Sequence, residues 1–141
     1  MKHEEIKVFL ADWIDAWRRH DAVALTAAFA QDAVYTSMLA GTIHGHQQIE
    51  ALYKGWFTAF ADTEFEAEIQ LIHRDQAAVL WTQRGSQTGE LCGMTGSGRI
   101  FLITGVFFMT FRDGRIVNMR SIYDFTGLMV QIGILKAKPA D

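Results

Sequence analysis

The side chain with the most to explain in this sequence is Asp124, a lone carboxylate flanked by Tyr123 and Phe125, with Ile122 and Leu128 nearby. Apolar surroundings disfavour the charged form of a carboxylate and raise its pKa toward the range where it exchanges protons near neutral pH, as a general acid or base must. The same residue has an ordinary structural use, because Asp124 or Thr126 is placed to cap a helix beginning near Gly127. Other groupings that imitate chemistry fail on spacing. His44 and His46 lie two apart, the spacing that would turn two imidazoles to one face of a strand, but they fall in a glycine loop (GTIHGH, Gly41 to His46) with no carboxylate or thiol beside them. They read as solvated loop histidines, and no metal is expected. Gly93 and Gly98 imitate the start of a phosphate loop, yet Arg99 and Ile100 follow where a lysine and a hydroxyl residue are needed. Cys92, the only cysteine, has no evident partner base and excludes an internal disulfide.

The elements that must position Asp124 come from the long apolar stretch before it. Arg99 to Phe111 is apolar on both alternating faces, which predicts a central strand covered on both sides. Asp113-Gly114 is the signal for a tight type I′ hairpin, with Arg115 to Phe125 as the antiparallel partner. That turn sets a register in which Asp124 faces Ile103, Ile122 faces Gly105 and Arg120 faces Phe107. Upstream, Glu64 to His73 alternates apolar Phe65, Ala67, Ile69 and Leu71 with Glu64, Glu66, Glu68 and Gln70, a strand with one buried and one wet face. The three glutamates are the wet face rather than an acid cluster. Ala77 to Thr88 predicts the next strand, with Trp81, Gln83, Gly85 and Gln87 on one face and Arg84 on the other.

The first half of the chain predicts helices and one strand. Glu4 to Arg19 carries Ile6, Phe9, Leu10, Trp13, Ile14 and Trp17 at spacings of three and four, so the two tryptophans read as core. His20-Asp21 ends that helix, and Asp21 caps a short second one through Phe29. Ala33 to Ala40 predicts a strand with Tyr35 and Ser37 on one face. Gln47 to Ala61 predicts a third helix with Ile49, Leu52, Tyr53, Trp56 and Phe60 on its buried stripe. Thr126 to Leu135 predicts a short amphipathic tail, and the last residues, 136–141, a flexible end.

Composition bounds the rest. The chain has 141 residues, half of them hydrophobic, with ten phenylalanines and four tryptophans, which is enough for one domain (1–135) with a sizeable core and an aromatic cavity. A net charge of −3 without any basic run argues against nucleic acid. No apolar run nears the ~18 residues needed to span a bilayer, and the first ten residues lack a signal-peptide core, so a cytoplasmic location is expected.

Four segments in fixed order carry a resemblance: WTQRGSQTGEL (Trp81 to Leu91), GMTGSGR (Gly93 to Arg99), FRDGRIV (Phe111 to Val117) and DFTGLMVQIG (Asp124 to Gly133). Together the chain resembles the SnoaL-like polyketide (ester) cyclases of the nuclear transport factor 2-like superfamily. The resemblance implies an α+β, cone-shaped (cystatin-like) fold, with a curved antiparallel or mixed sheet and N-terminal helices enclosing one pocket. It implies an intramolecular ring closure without metal, nucleotide or other cofactor, in which the residue matched by Asp124 is the general acid and base. Tyr35, Trp56, Trp81, Gln87, Phe107 and Arg120 are the candidates for contact with an apolar, carbonyl-bearing small molecule, and a homodimer is expected. Gln87 stands where the family often has histidine; it can hydrogen-bond but cannot titrate. Three functions stay open: a cyclase or isomerase, a non-catalytic small-molecule binder with Asp124 as a cap, and a dimeric scaffold acting through the outer sheet face.

Overall fold

The structure, a computed structural model, describes residues 1–136, so all but the first residue of the tail expected over 136–141 lies outside the described residues. In chain order the elements are α1 (His3–Arg18), α2 (Ala22–Ala27), β1 (Phe29–Ser37), β2 (Gly41–His44), α3 (Gly45–Ala59), β3 (Glu64–His73), β4 (Gln76–Ser86), β5 (Ile100–Arg112), β6 (Arg115–Tyr123) and α4 (Phe125–Gln131). The strands form one sheet ordered β2-β1-β6-β5-β4-β3. Only β1 and β6 pair in parallel, so the sheet is mixed, as expected of this α+β fold. The helices lie on its inner face. The predicted stripe of α1 buries Ile6, Leu10, Trp13, Ile14 and Trp17. Trp17 stacks on Phe65 of β3 (5.0 Å between ring centroids) and on Phe107 of β5 (5.7 Å), which pins the helix across the sheet. From α3, Ile49, Tyr53 and Trp56 are buried against the same face.

Besides the element ends, where α2 stops at Ala27 rather than Phe29 and β1 spans Phe29–Ser37 rather than Ala33 to Ala40, the structure departs from the sequence reading in four places. Of the stretch expected as a loop, Gly41 to His46, the first four residues are a short edge strand paired with β1, entered through Gly41 (φ +66°); four residues are too few to show a period. His46 is not a solvated loop histidine: it lies in α3, and its Nε2 is 2.7 Å from the Phe29 carbonyl oxygen.

The third departure is register. The β5–β6 turn has positive φ at both Asp113 and Gly114, as a type I′ turn requires, and its first pairs, Arg112 with Arg115 and Phe111 with Ile116, follow the predicted register. A bulge then inserts Val117, and from Thr110–Asn118 onward every pair is displaced by one. Phe107 faces Ser121 rather than Arg120, and Gly105 faces Tyr123 rather than Ile122. A one-residue slip exchanges the two faces of a strand. Ser121 and Tyr123 therefore turn inward, and Arg120 and Ile122 turn outward. β3 carries a second bulge at Glu68, which turns Ile69 and Leu71 onto the outer face although they continue the buried alternation of Phe65 and Ala67.

The fourth concerns β5, expected to be covered on both sides. Only its inner face is covered (Phe101, Ile103, Phe107, Met109, Phe111), while Ile100, Leu102 and Phe108 are exposed.

Candidate active site

Helices and inner sheet face close on a small cavity. Trp17 comes from α1; Leu52, Tyr53 and Trp56 come from α3; Tyr35 and Ser37 come from β1 and Leu39 from the turn after it. The sheet contributes Trp81 and Gln83 of β4, Phe107 of β5, and Ser121 and Tyr123 of β6. The Val117 bulge is what brings the last two in. Gly105 also matters to the lining: a Cβ there would meet Trp81 Cζ2 at 2.4 Å, so the absent side chain lets the indole lie against β5.

The lining is aromatic and neutral, with no carboxylate, imidazole or cationic side chain among these residues. Its polar groups are phenols, hydroxyls, indoles and one amide. Burial pushes the Tyr35 phenol up to about 12, partly offset by the hydroxyls of Ser121 and Tyr53. Burial, then the proximity of Tyr35, raises Tyr53 well above the phenol range. Burial raises Tyr123 as well, followed by its neighbours Tyr35 and Cys92. All three remain protonated donors at neutral pH. Of the lining donors, Trp17 Nε1, Trp81 Nε1 and Tyr123 Oη have no hydrogen-bond partner among the described residues. Each buried unpartnered donor costs about 1–3 kcal/mol.

The free space is about 30 Å³, room for water but not for an organic molecule, since ligand pockets typically offer ~300–1,000 Å³. The wall is thin on one side. Leu39, Leu52 and Trp56 also border a surface groove of about 250 Å³ that runs on to Glu90, Leu91 and Cys92.

Of the residues singled out in the sequence, Tyr35, Trp56, Trp81 and Phe107 meet in the cavity lining. Three others are elsewhere. Asp124 is exposed, not buried among apolar side chains; it is the N-cap of α4, and its Oδ1 accepts from the Gly127 amide at 2.8 Å. Gln87 is buried, but in the glycine-rich loop: its Nε2 donates to the carbonyls of Gly89, Met94 and Thr95, and its Oε1 accepts from the Ser97 amide. Arg120 stands on the outer face of the sheet beside Phe108, a consequence of the Val117 bulge.

Sequence reasoning missed Tyr53, Ser121 and Tyr123 as lining and left Trp17 as core. The signal for Ser121 was available, since a serine sharing a strand face with Met119 and Tyr123 asks for a polar partner. Among the described residues no three His, Cys, Asp or Glu side chains cluster as a metal site would require.

The family model described as SnoaL-like polyketide cyclase matches residues 7–132. No curated protein sequence matches the chain. Among solved structures, AclR of Streptomyces galilaeus, a candidate hydroxylase, is similar at 23% identity and TM-score 0.84, covering 98% of this chain and 87% of its own. A candidate SnoaL-like polyketide cyclase from Jannaschia sp. CCS1 is similar at 21% identity and TM-score 0.84, covering 96% and 94%. TerC, co-crystallised with polyporic acid, is similar at 18% identity and TM-score 0.73, covering 92% and 98%. These likenesses establish the nuclear transport factor 2-like fold.

Proposed function

The chain belongs to the SnoaL-like polyketide cyclase family, and from that premise we propose that its aromatic cavity receives a flat, apolar molecule whose carbonyl or hydroxyl oxygens accept hydrogen bonds from the lining. The observation that carries this reading is the cavity's composition: stacked rings around neutral donors, three of them buried without a partner. Oxygen acceptors on a ligand would recover those hydrogen bonds, and the rings match a planar carbon skeleton. The polyporic acid in TerC supports the same chemistry. The ligand enters past Leu39 and Leu52, and it makes its own room by displacing them.

The family premise adds a second reading, in which the bound ketone is also turned over. The cavity's donors favour an enolate oxygen over a neutral carbonyl, but the lining holds no base. Asp124 is assigned that role. It caps α4 outside the cavity lining, with its Oδ1 held by the Gly127 amide, so turnover requires the carboxylate to leave the cap and turn toward the bound ketone. The test is α-proton exchange of acetophenone in D₂O followed by NMR. Exchange above the buffer rate that falls at least ~10²-fold in Asp124→Asn supports acid/base turnover, because asparagine keeps the cap. Exchange that Asp124→Asn leaves intact removes Asp124 from the mechanism. Tight acetophenone binding without exchange identifies a binding protein.

The homodimer belongs to the same proposal. The bulges at Glu68 and Val117 align Ile122, Val106, Leu80 and Ile69 in one row across the outer face, with Arg120, Phe108, Ala78 and Leu71 in the next. A second copy packed sheet to sheet, with its strand order reversed, would set Phe108 over the small Ala78. Four strands about 4.8 Å apart and ten residues long present roughly 600 Å² of projected surface, comparable to the ~800 Å² each partner buries in a stable interface.

A further inference from the structure

Gln83 is the one lining residue whose hydrogen-bonding sense is dictated from behind. It is 1% exposed. Its Oε1 accepts from Trp56 Nε1 at 3.0 Å and from Thr63 Oγ1 at 3.0 Å, both buried. An indole N–H can only donate, so the opposite orientation of the amide would set donor against donor. The amide is therefore locked with oxygen toward Trp56 and Thr63. Nothing among the described residues accepts from its Nε2, although the side chain lines the cavity.

We propose that Gln83 is the specificity-determining residue of the cavity, presenting Nε2 as a fixed donor that reads an acceptor oxygen on the ligand and rejects a hydrogen-bond donor at that point. This rests on the cavity being the ligand site. Trp56 and Thr63 are positioning residues, since they act by holding Oε1. The lock gives the cavity a direction. A freely turning amide would serve a ketone and an alcohol alike, whereas a locked one serves the ketone, an enolate or a quinone oxygen. A site built to donate to a ligand oxygen discriminates strongly against an analogue that lacks it, because its own buried donor is then left unpaired.

The test uses two planar isosteres, acetophenone and α-methylstyrene, which differ in C=O against C=CH₂. Binding is read from the fluorescence of the lining tryptophans. The wild-type chain is expected to prefer acetophenone at least tenfold. Gln83→Met, similar in shape and without a donor, is expected to lose the preference, with the two probes binding within about twofold of each other. Gln83→Glu preserves the oxygen that Trp56 and Thr63 hold and replaces the donor; it is expected to reject acetophenone at pH 8 and to recover binding at low pH, as the new carboxyl is protonated and can donate. Trp56→Phe, which releases the amide, is expected to narrow the preference without abolishing it. A tenfold preference that persists in Gln83→Met and Gln83→Glu overturns the assignment while leaving the cavity reading in place. Failure of both probes to bind the wild type overturns the cavity reading and the assignment with it.

Discussion

Asp124 illustrates how two readings of one residue separate. A carboxylate at the end of a strand and the start of a helix is drawn to the free amides of the first turn, and the Gly127 amide reaches its Oδ1. Asp124→Ala should therefore lower stability by about 1 kcal/mol in urea denaturation, while Asp124→Asn should stay within a few tenths of the parent. Gln87 separates in the same way. Its amide ties the carbonyls of Gly89, Met94 and Thr95 to the Ser97 amide, so Gln87→Leu should cost about 2 kcal/mol. Amide exchange over residues 88–98 should accelerate, with ligand affinity unchanged. The buried phenols predict an alkaline limit. A phenol whose folded pKa exceeds its unfolded value binds more protons in the native state, so its stabilising contribution is complete below pH 10 and is lost as the pH rises through the folded value. For Tyr35 that window runs from 10 to about 12. Two units correspond to on the order of 3 kcal/mol, and Tyr53 and Tyr123 act in the same direction. Denaturation melts between pH 9 and 12 should show the loss, and Tyr35→Phe should reduce it.

At the scale of elements, bulges and one glycine decide what the strands present. Val117 turns Ser121 and Tyr123 inward, and Glu68 turns Ile69 and Leu71 outward. Gly105 faces Tyr123 across the ladder and lies under Trp81. A methyl group at this position would lie 2.4 Å from Trp81 Cζ2 and 2.7 Å from the Ile122 carbonyl oxygen. The oxygen belongs to a paired strand and cannot step aside. Gly105→Ala should thus destabilise by about 2–3 kcal/mol, and it should shift tryptophan fluorescence because the indole must tilt.

The outer sheet face sets the scale of the whole molecule. Leu71 is 65% exposed, Ile69 51%, Ile122 49% and Phe108 48%, neighbours in the two rows and together an apolar area of the kind that marks an interaction surface. The proposed dimer predicts twice the chain mass of 15.9 kDa in sedimentation equilibrium. Phe108→Glu should shift the protein to monomer while the cavity and its ligand affinity persist. A parent chain that sediments as a monomer would remove the dimer from the proposal.

The sequence by itself determined the elements and their order, except for the edge strand β2. Helical and alternating patterns are local and show in a single chain, which is why Glu64 to His73, the Asp113-Gly114 turn and the stripes of α1 and α3 were legible. The same locality put Tyr35, Trp56, Trp81 and Phe107 on inward faces. Which side of a strand faces inward depends on one-residue insertions in pairing, and no composition or period marks Val117 or Glu68 as a bulge. Tertiary structure alone decided that Asp124 caps a helix at the surface, that Gln87 ties down a loop, that Arg120 points away, and that Tyr53, Ser121, Tyr123 and an immobilised Gln83 meet in one cavity. A side chain's partners lie tens of residues away, and the free energy that sets its direction comes from groups the local sequence does not contain.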